Sequence, residues 1–256
     1  MKQVSRALIV ISCVVFAVSG WAQETTKDAP EAKKPDTTVE QVLEKFVAAT
    51  GGRAAYEKIA TMVSKGTLEI VGQGITGTIE IYAKAPNKLL LVQSITGIGE
   101  VKQGTDGQVV WSQDPFQGIR ELEGVELANF KRRATFNADL KWRELYEKVE
   151  LVGTEKVEDR DTYVIRLTPS VGKPITRSYD AQTFLLLREA SVYEGAQGTM
   201  PGEEYPSDYR DVNGVKVAFQ SRAKLPVGEV LVKLTEVKTN VEIDDAKFAK
   251  PAAAGK

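Results

Sequence analysis

Residues 205–225 read YPSDYRDVNGVKVAFQSRAKL. Asn213-Gly214 lies between two strand-like runs. That pair is the strongest short-range signal for a tight β-hairpin, because the favoured two-residue turn needs positive φ at both central positions. Asn and Gly enter that region at least steric cost. The stretch is therefore expected to form antiparallel strands at 205–212 and 215–225. The run that follows, 230–239, places Val230, Val232 and Leu234 on one face, the period of two expected of a half-buried strand.

The same pattern extends upstream. Residues 149–155 pair naturally with 163–167, where Tyr163, Ile165 and Leu167 alternate with Val164 and Arg166. Residues 175–180 and 185–193 read as further strands. Nearer the start, Met62, Gly66, Leu68 and Ile70 share one face, while Ile79, Ile81 and Ala83 oppose Thr78, Glu80 and Tyr82. Residues 88–95 are apolar on both faces. Asp106-Gly107, between 101–105 and 108–112, is a second two-residue hairpin signal. The expectation is about eleven short strands, with connections mostly too short for a parallel crossover. One antiparallel sheet of that size must curl or close, because twist accumulates across its strands. A barrel of about eight strands fills itself with side chains, and more strands leave a hollow. The expected fold class is mainly β with helices (α+β): a curved antiparallel sheet, or incomplete β-barrel, with a helical lid or plug.

Two segments leave the period of two and are the candidates to occupy that hollow. Thr38 with Gln41 makes a capping box. Val39, Val42, Leu43, Phe46 and Val47 then form one apolar stripe, and Gly51-Gly52 ends the helix. A short second helix is expected at 53–59. The insert 124–145 carries Val125, Leu127, Ala128 and Phe130, then Leu140, Trp142 and Leu145, at helical spacing.

The ends read differently. Lys2 and Arg6 precede an apolar run at 7–18, and Gly20-Trp21-Ala22 presents small residues where a signal peptidase reads. Residues 1–22 are expected to be a signal peptide cleaved near Ala22, giving an exported, periplasmic protein. The single cysteine, Cys13, lies inside this segment. A lipobox at 10–13 is the rival reading, but little of the apolar run that starts at Ala7 would precede it, and the run continues through Val14-Val15-Phe16. Residues 23–37 are expected to be a disordered linker, 38–250 the folded domain, and 251–256 a loose tail.

Composition removes whole classes of function. There is no histidine, hence no imidazole base, no Ser–His or Cys–His nucleophile, and no histidine metal ligand. Lys and Arg number 34 against 35 Asp and Glu, so no surplus of cations exists to displace phosphate counterions, and nucleic acid is not an expected partner. Acidic pairs such as Glu203-Glu204, or Asp208 with Asp211, lack the spaced oxygens and turn glycine of a calcium loop. No serine lies in a nucleophile elbow. The expectation is a non-enzymatic protein with no cofactor and no metal.

Trp111, Phe116, Phe130, Phe136 and Trp142 gather around the helical insert. They suggest an aromatic flap over an apolar pocket, although each competes with plain core packing. Leu43, Phe46, Trp111, Phe116, Phe130 and Phe136 are the candidate ligand-binding residues. Lys131-Arg132-Arg133 could meet an acidic head group, but three adjacent residues cannot share one helix face, so a solvated surface is the plainer reading.

The folded region also resembles the LolA/LolB-like superfamily, and within it the outer-membrane lipoprotein-sorting branch. The residues that carry this are Ala48-Ala49-Thr50-Gly51-Gly52, a first strand at 61–71 with Gly66, the run YDAQTFLLLR at 179–188, SDYRDVNGV at 207–215, EVKTNVEID at 236–244, and the close Phe248-Ala249-Lys250-Pro251. These are largely strand and turn signatures. The resemblance implies an unclosed antiparallel barrel with a helical lid over an apolar cavity that shields lipid or lipoprotein acyl chains, with envelope proteins donating or accepting the cargo. The family's lid-locking arginine maps onto no single residue here. A cell-envelope sensing or interaction module with a filled core is the alternative that the same fold accommodates.

Overall fold

The structure, a computed structural model, describes residues 36–195, 198–226 and 228–252. The expected signal peptide, Cys13, most of the expected linker and the last four residues of the expected tail lie outside these residues. The first six strands are β1 (Thr61–Ile70), β2 (Ile75–Lys84), β3 (Lys88–Ile95), β4 (Gly99–Thr105), β5 (Val110–Asp114) and β6 (Gly118–Glu121). The other seven are β7 (Lys148–Val157), β8 (Arg160–Thr168), β9 (Ile175–Asp180), β10 (Leu186–Gly195), β11 (Gly198–Val212), β12 (Val215–Leu225) and β13 (Gly228–Thr239). All thirteen form one curved sheet in the order β6-β5-β4-β3-β2-β1-β13-β12-β11-β10-β9-β8-β7.

The chain starts at the centre of the sheet and meanders to one edge, β6. It crosses to the other edge, β7, and meanders back until β13 pairs with β1. Every pairing is antiparallel, and β6 and β7 do not pair with each other, so the sheet is unclosed. The one long crossover is the helical insert. It contains α3 (Gly124–Ala134), a 3₁₀ turn (Ala138–Leu140) and α4 (Trp142–Leu145). Because it joins the two free edges, it must span the mouth of the curve.

The count of thirteen exceeds the expected eleven or so. The strand with the weakest signal is β6, four residues (GIRE) with one large apolar side chain. In addition, β11 begins at Gly198 and runs through Pro201, Gly202 and Pro206, residue types that strands disfavour. The two hairpin signals resolve differently. Val212 pairs with Val215, and Asn213 and Gly214 have φ of 53° and 86°, the expected two-residue turn. At Asp106-Gly107 the last pair is Thr105 with Val110, so the loop has four residues rather than two. There the Asp106 carboxylate accepts from the backbone N–H groups of Gln108 and Val109, both at 2.9 Å, and this side-chain turn replaces the tighter backbone one.

Both faces of the sheet are covered around β3 and β5. Leu89 and Leu91 of β3 belong to a core with Val110, Leu122, Phe130 and Ala134, beneath α3. Leu90, between them, belongs to a core on the opposite face with Val63, Trp111, Ile243 and Phe248. That outer core is closed by the C-terminal segment, where the Trp111 indole N–H donates to the Phe248 carbonyl at 3.0 Å. Lys84 and Lys88 each reach the Asp245 carboxylate at 2.7 Å and hold the same segment down.

In the second half, α1 (Val39–Ala49) lies on the inner face. Its capping box is formed as expected: Thr38 accepts from the Gln41 N–H, and the Gln41 side chain accepts from Thr38. Val42, Leu43 and Phe46 pack on Ile165, Leu167 and Tyr179. A second helix, α2 (Arg53–Tyr56), is shorter than the expected 53–59. Between α1 and α2 the chain presses against the Asn213-Gly214 turn. A side chain at Gly51 would put its Cβ 2.1 Å from the Gly214 carbonyl oxygen, so only glycine allows that approach.

Candidate functional site

The inner face is the one that carries α1 and α3. Between α3 and strands β9–β11 lies a half-open cavity of about 360 Å³, within the range of roughly 300–1,000 Å³ of small-molecule sites. Leu122 and Phe130 wall it on the insert side, and Ile175, Val192 and Tyr146 on the other. The remaining wall is charged. Arg177 and Glu189 sit on the floor, Glu204 and Glu194 on one flank, and Glu126, Arg132, Arg133 and Asp139 on the insert.

Period two puts Arg177 there. Ile175, Arg177 and Tyr179 alternate along β9 with Thr176 and Ser178, and the pairings Arg177–Ile165 and Arg177–Glu189 set its neighbours on the same face. The Arg177 guanidinium donates to Glu189 at 2.6 Å and to Asp139 at 3.1 Å, tying the sheet floor to the 3₁₀ turn of the insert. Desolvation opposes its charge, but Glu189 and Asp139 outweigh that and hold it firmly protonated. Burial pushes the Tyr146 and Tyr179 phenols up, so both stay neutral at physiological pH.

A smaller groove of about 250 Å³ lies on the other side of Asp139, between α1 and the insert, walled by Leu43, Val47, Leu140 and Trp142. Asp139 is common to both spaces. The 3₁₀ turn is therefore the partition between groove and cavity, and its ion pair with Arg177 holds that partition in place.

Of the candidate residues, Phe130 lines the cavity and Leu43 lines the groove. Phe46 is buried with its ring 5.2 Å from that of Tyr179, as part of the α1 seat. Trp111 lies on the outer face, sealed beneath Phe248, because strand alternation turns it away from Val110. Phe116 is 59% exposed in the turn between β5 and β6. Phe136 packs with Tyr56, Ile59 and Val215, below the end of α3. The aromatic residues thus serve several separate surfaces rather than one flap. The basic run is divided too. Arg132 and Arg133 line the cavity while Lys131 is exposed, and Arg132 is held by the Val171 carbonyl at 3.0 Å and by Asn129. Sequence reasoning missed Arg177, Glu189 and Asp139. The available signal was a charged residue at the middle of an apolar alternation, Ile175-x-Arg177-x-Tyr179. Among the described residues no cluster of acidic or cysteine side chains could hold a metal ion.

No family model matches the chain, and no curated protein matches it. Solved structures do. A DUF1329 family protein from Desulfovibrio piger superposes with a TM-score of 0.56 at 18% identity, covering 83% of this chain and 97% of that one. A LolA superfamily protein from Nitrosomonas europaea gives 0.57 at 14% identity, covering 84% and 98%. An outer membrane lipoprotein-sorting protein domain from Vibrio parahaemolyticus gives 0.56 at 10% identity, covering 82% and 95%. At such identities it is the fold that is shared. The described chain, a curved and unclosed antiparallel sheet whose crossover insert closes its inner face, is similar in fold to the LolA superfamily and to outer-membrane lipoprotein-sorting domains.

Proposed function

We propose that this chain is a non-enzymatic periplasmic binding or carrier protein for lipid or lipoprotein acyl chains. The observation that carries the reading is the cavity of about 360 Å³ between α3 and the inner face, in a fold shared with lipoprotein-sorting domains. Each methylene taken from water into such a space contributes about 0.8 kcal/mol, so a few carbons against Phe130 and Leu122 suffice for useful affinity without a catalytic group. Export rests on residues 1–22, read as a signal peptide, and cleavage near Ala22 would remove Cys13. Envelope proteins that deliver or receive the cargo are the partners this role requires.

The charged floor favours a second reading. Arg177, satisfied by Glu189 and Asp139, is what a self-contained sensing or interaction module would keep at its centre. Two measurements separate them. Native mass spectrometry of protein from its own cell envelope is expected to show co-purified lipid, and a fluorescent fatty acid is expected to bind saturably. Phe130→Trp narrows the cavity and is expected to weaken uptake by the folded protein about tenfold, at a cost of about 1–3 kcal/mol in stability because Phe130 also belongs to the core beneath α3. Protein that carries no lipid and takes up no fatty acid would leave only the module.

A further inference from the structure

Among the described residues five large apolar side chains are exposed: Val71 (42%), Phe116 (59%), Val152 (41%), Val171 (46%) and Tyr193 (47%). Four of them lie at one end of the sheet. The strand pairs that terminate there are Ile70–Ile75, Ile95–Gly99, Asp114–Gly118, Leu225–Gly228 and Gly195–Gly198. Val71 is in the turn after β1, Phe116 in the turn after β5, Val171 in the connection between β8 and β9, and Tyr193 near the tip of the β10–β11 hairpin. The opposite end, with the Asp106 and Asn213-Gly214 turns and the C-terminus of α1, presents none of the five. The cavity faces the apolar end, since two of its exposed lining residues, Lys173 and Tyr193, belong to the β8–β9 connection and the β10–β11 hairpin.

We propose that this end of the sheet docks on a lipid bilayer, with the four side chains dipping into its interface and Tyr193, which also lines the cavity, beside the opening. The inference rests on the carrier reading and adds where the cargo enters: an acyl chain that leaves the bilayer at this rim need not cross water. A bilayer is the fitting occupant because the four side chains sit on separate turns, with polar residues such as Gln117 and Lys173 beside them. A protein partner needs a contiguous, closely packed apolar centre. A lipid interface accepts scattered insertions, and polar neighbours remain among the head groups.

Flotation with vesicles of phosphatidylethanolamine and phosphatidylglycerol tests this, using the full chain expressed with residues 1–22 so that processing takes its own course. The wild type is expected to float with the vesicles. Phe116→Ser with Val171→Ser is expected to lower the bound fraction on the order of tenfold, while Val152→Ser, exposed at 41% but away from this end, leaves it unchanged. All three proteins should melt alike. A double variant that floats like the wild type, or a wild type that stays in solution, overturns the proposal. So does a double variant whose main effect is loss of a dimer in sedimentation, because the occupant would then be a second copy. Fatty-acid uptake measured without vesicles is read separately. If it is absent while rim-dependent flotation persists, the docking surface stands and the carrier reading falls.

Discussion

The two halves of the sheet solve the same packing problem in opposite ways. Where β3–β5 are covered, the first half is dry on both faces: Leu89 and Leu91 lie under α3, Leu90 and Trp111 under the C-terminal segment. Strands β9–β11 carry charge on both faces. On the inner side Arg177 is paired with Glu189 and Asp139, and on the outer side Arg188 is paired with Glu155 at 2.8 Å and Glu203 at 3.2 Å. The first half is held by transfer of apolar area from water. The second is held by the apolar seat of α1 on Ile165, Leu167 and Tyr179, and beside that seat it accommodates ion pairs whose Coulomb gain roughly offsets their desolvation. The cavity lies where the two regimes meet, with Leu122 and Phe130 of the apolar core on one side and Arg177 and Glu189 on the other.

Trp111→Ala should be the most damaging test of the dry half. The side chain is 1% exposed and lies against Gly104, where even a Cβ would come within 2.6 Å of the indole. The loss is expected to be about 4 kcal/mol in denaturant unfolding, with fatty-acid uptake by the remaining folded protein unchanged. A loss of uptake at full stability would put Trp111 in the site after all.

Arg177→Met tests the charged half. It leaves Glu189 and Asp139 facing each other without a cation and should cost about 3 kcal/mol. Adding Glu189→Gln and Asp139→Asn should restore most of that, since neutral partners remove the unpaired charge. If the triple variant is no better than the single one, the packing of the arginine stem matters more than its charge.

Asp180 is a smaller test of the same half. Its carboxylate accepts from Gln182 N–H at 3.1 Å and from the N–H and hydroxyl of Thr183 at 2.6 and 2.8 Å, and it pairs with Arg160 at 2.7 Å. Asp180→Ala is expected to cost about 2 kcal/mol by chemical denaturation. A change within experimental error would mean that the β9–β10 turn forms without it.

The smallest effect expected is one of pH. Burial raises the Asp180 pKa, but the Thr183 and Gln182 bonds and Arg160 lower it further, so the net direction is down. Lys84 and Lys88 hold Asp245 down to about 2. Carboxyls lowered on folding stabilise fully above their unfolded values near 4, and that contribution is lost as pH falls through the folded ones. Melting temperature should therefore be level at neutral pH and decline below about pH 4. Lys84→Met with Lys88→Met should flatten that decline, and an unchanged profile would remove the C-terminal clamp from the account.

Much of the architecture was legible because it is local. Asn213-Gly214 dictates its turn through backbone sterics, Thr38 and Gln41 cap α1, alternation at 163–167 marks a buried face, and the apolar run at 88–95 marks a strand covered on both. The runs at 179–188 and 207–215, on which the resemblance rests, are explained by the same local physics, an aspartate that caps one turn and a glycine that closes another. The strand at Gly118–Glu121 was not legible, since four residues with one large apolar side chain carry almost no periodic signal. The site was only half legible. Phe130 and Leu43 could be read from helical spacing. Arg177, Glu189 and Asp139 come from a strand, its neighbour and the distant insert, and no window of sequence contains all three.

The amino-acid sequence by itself determined the antiparallel character of the sheet, its main turns and the excess of strands over what a filled barrel needs. All of these follow from backbone sterics and a period of two. Tertiary structure alone decided which face each aromatic serves, and that the insert joins the two free edges and so roofs the cavity. It also decided that the roof rests on an arginine. These are contacts between residues far apart in the chain, and only the curvature of the whole sheet brings them within reach.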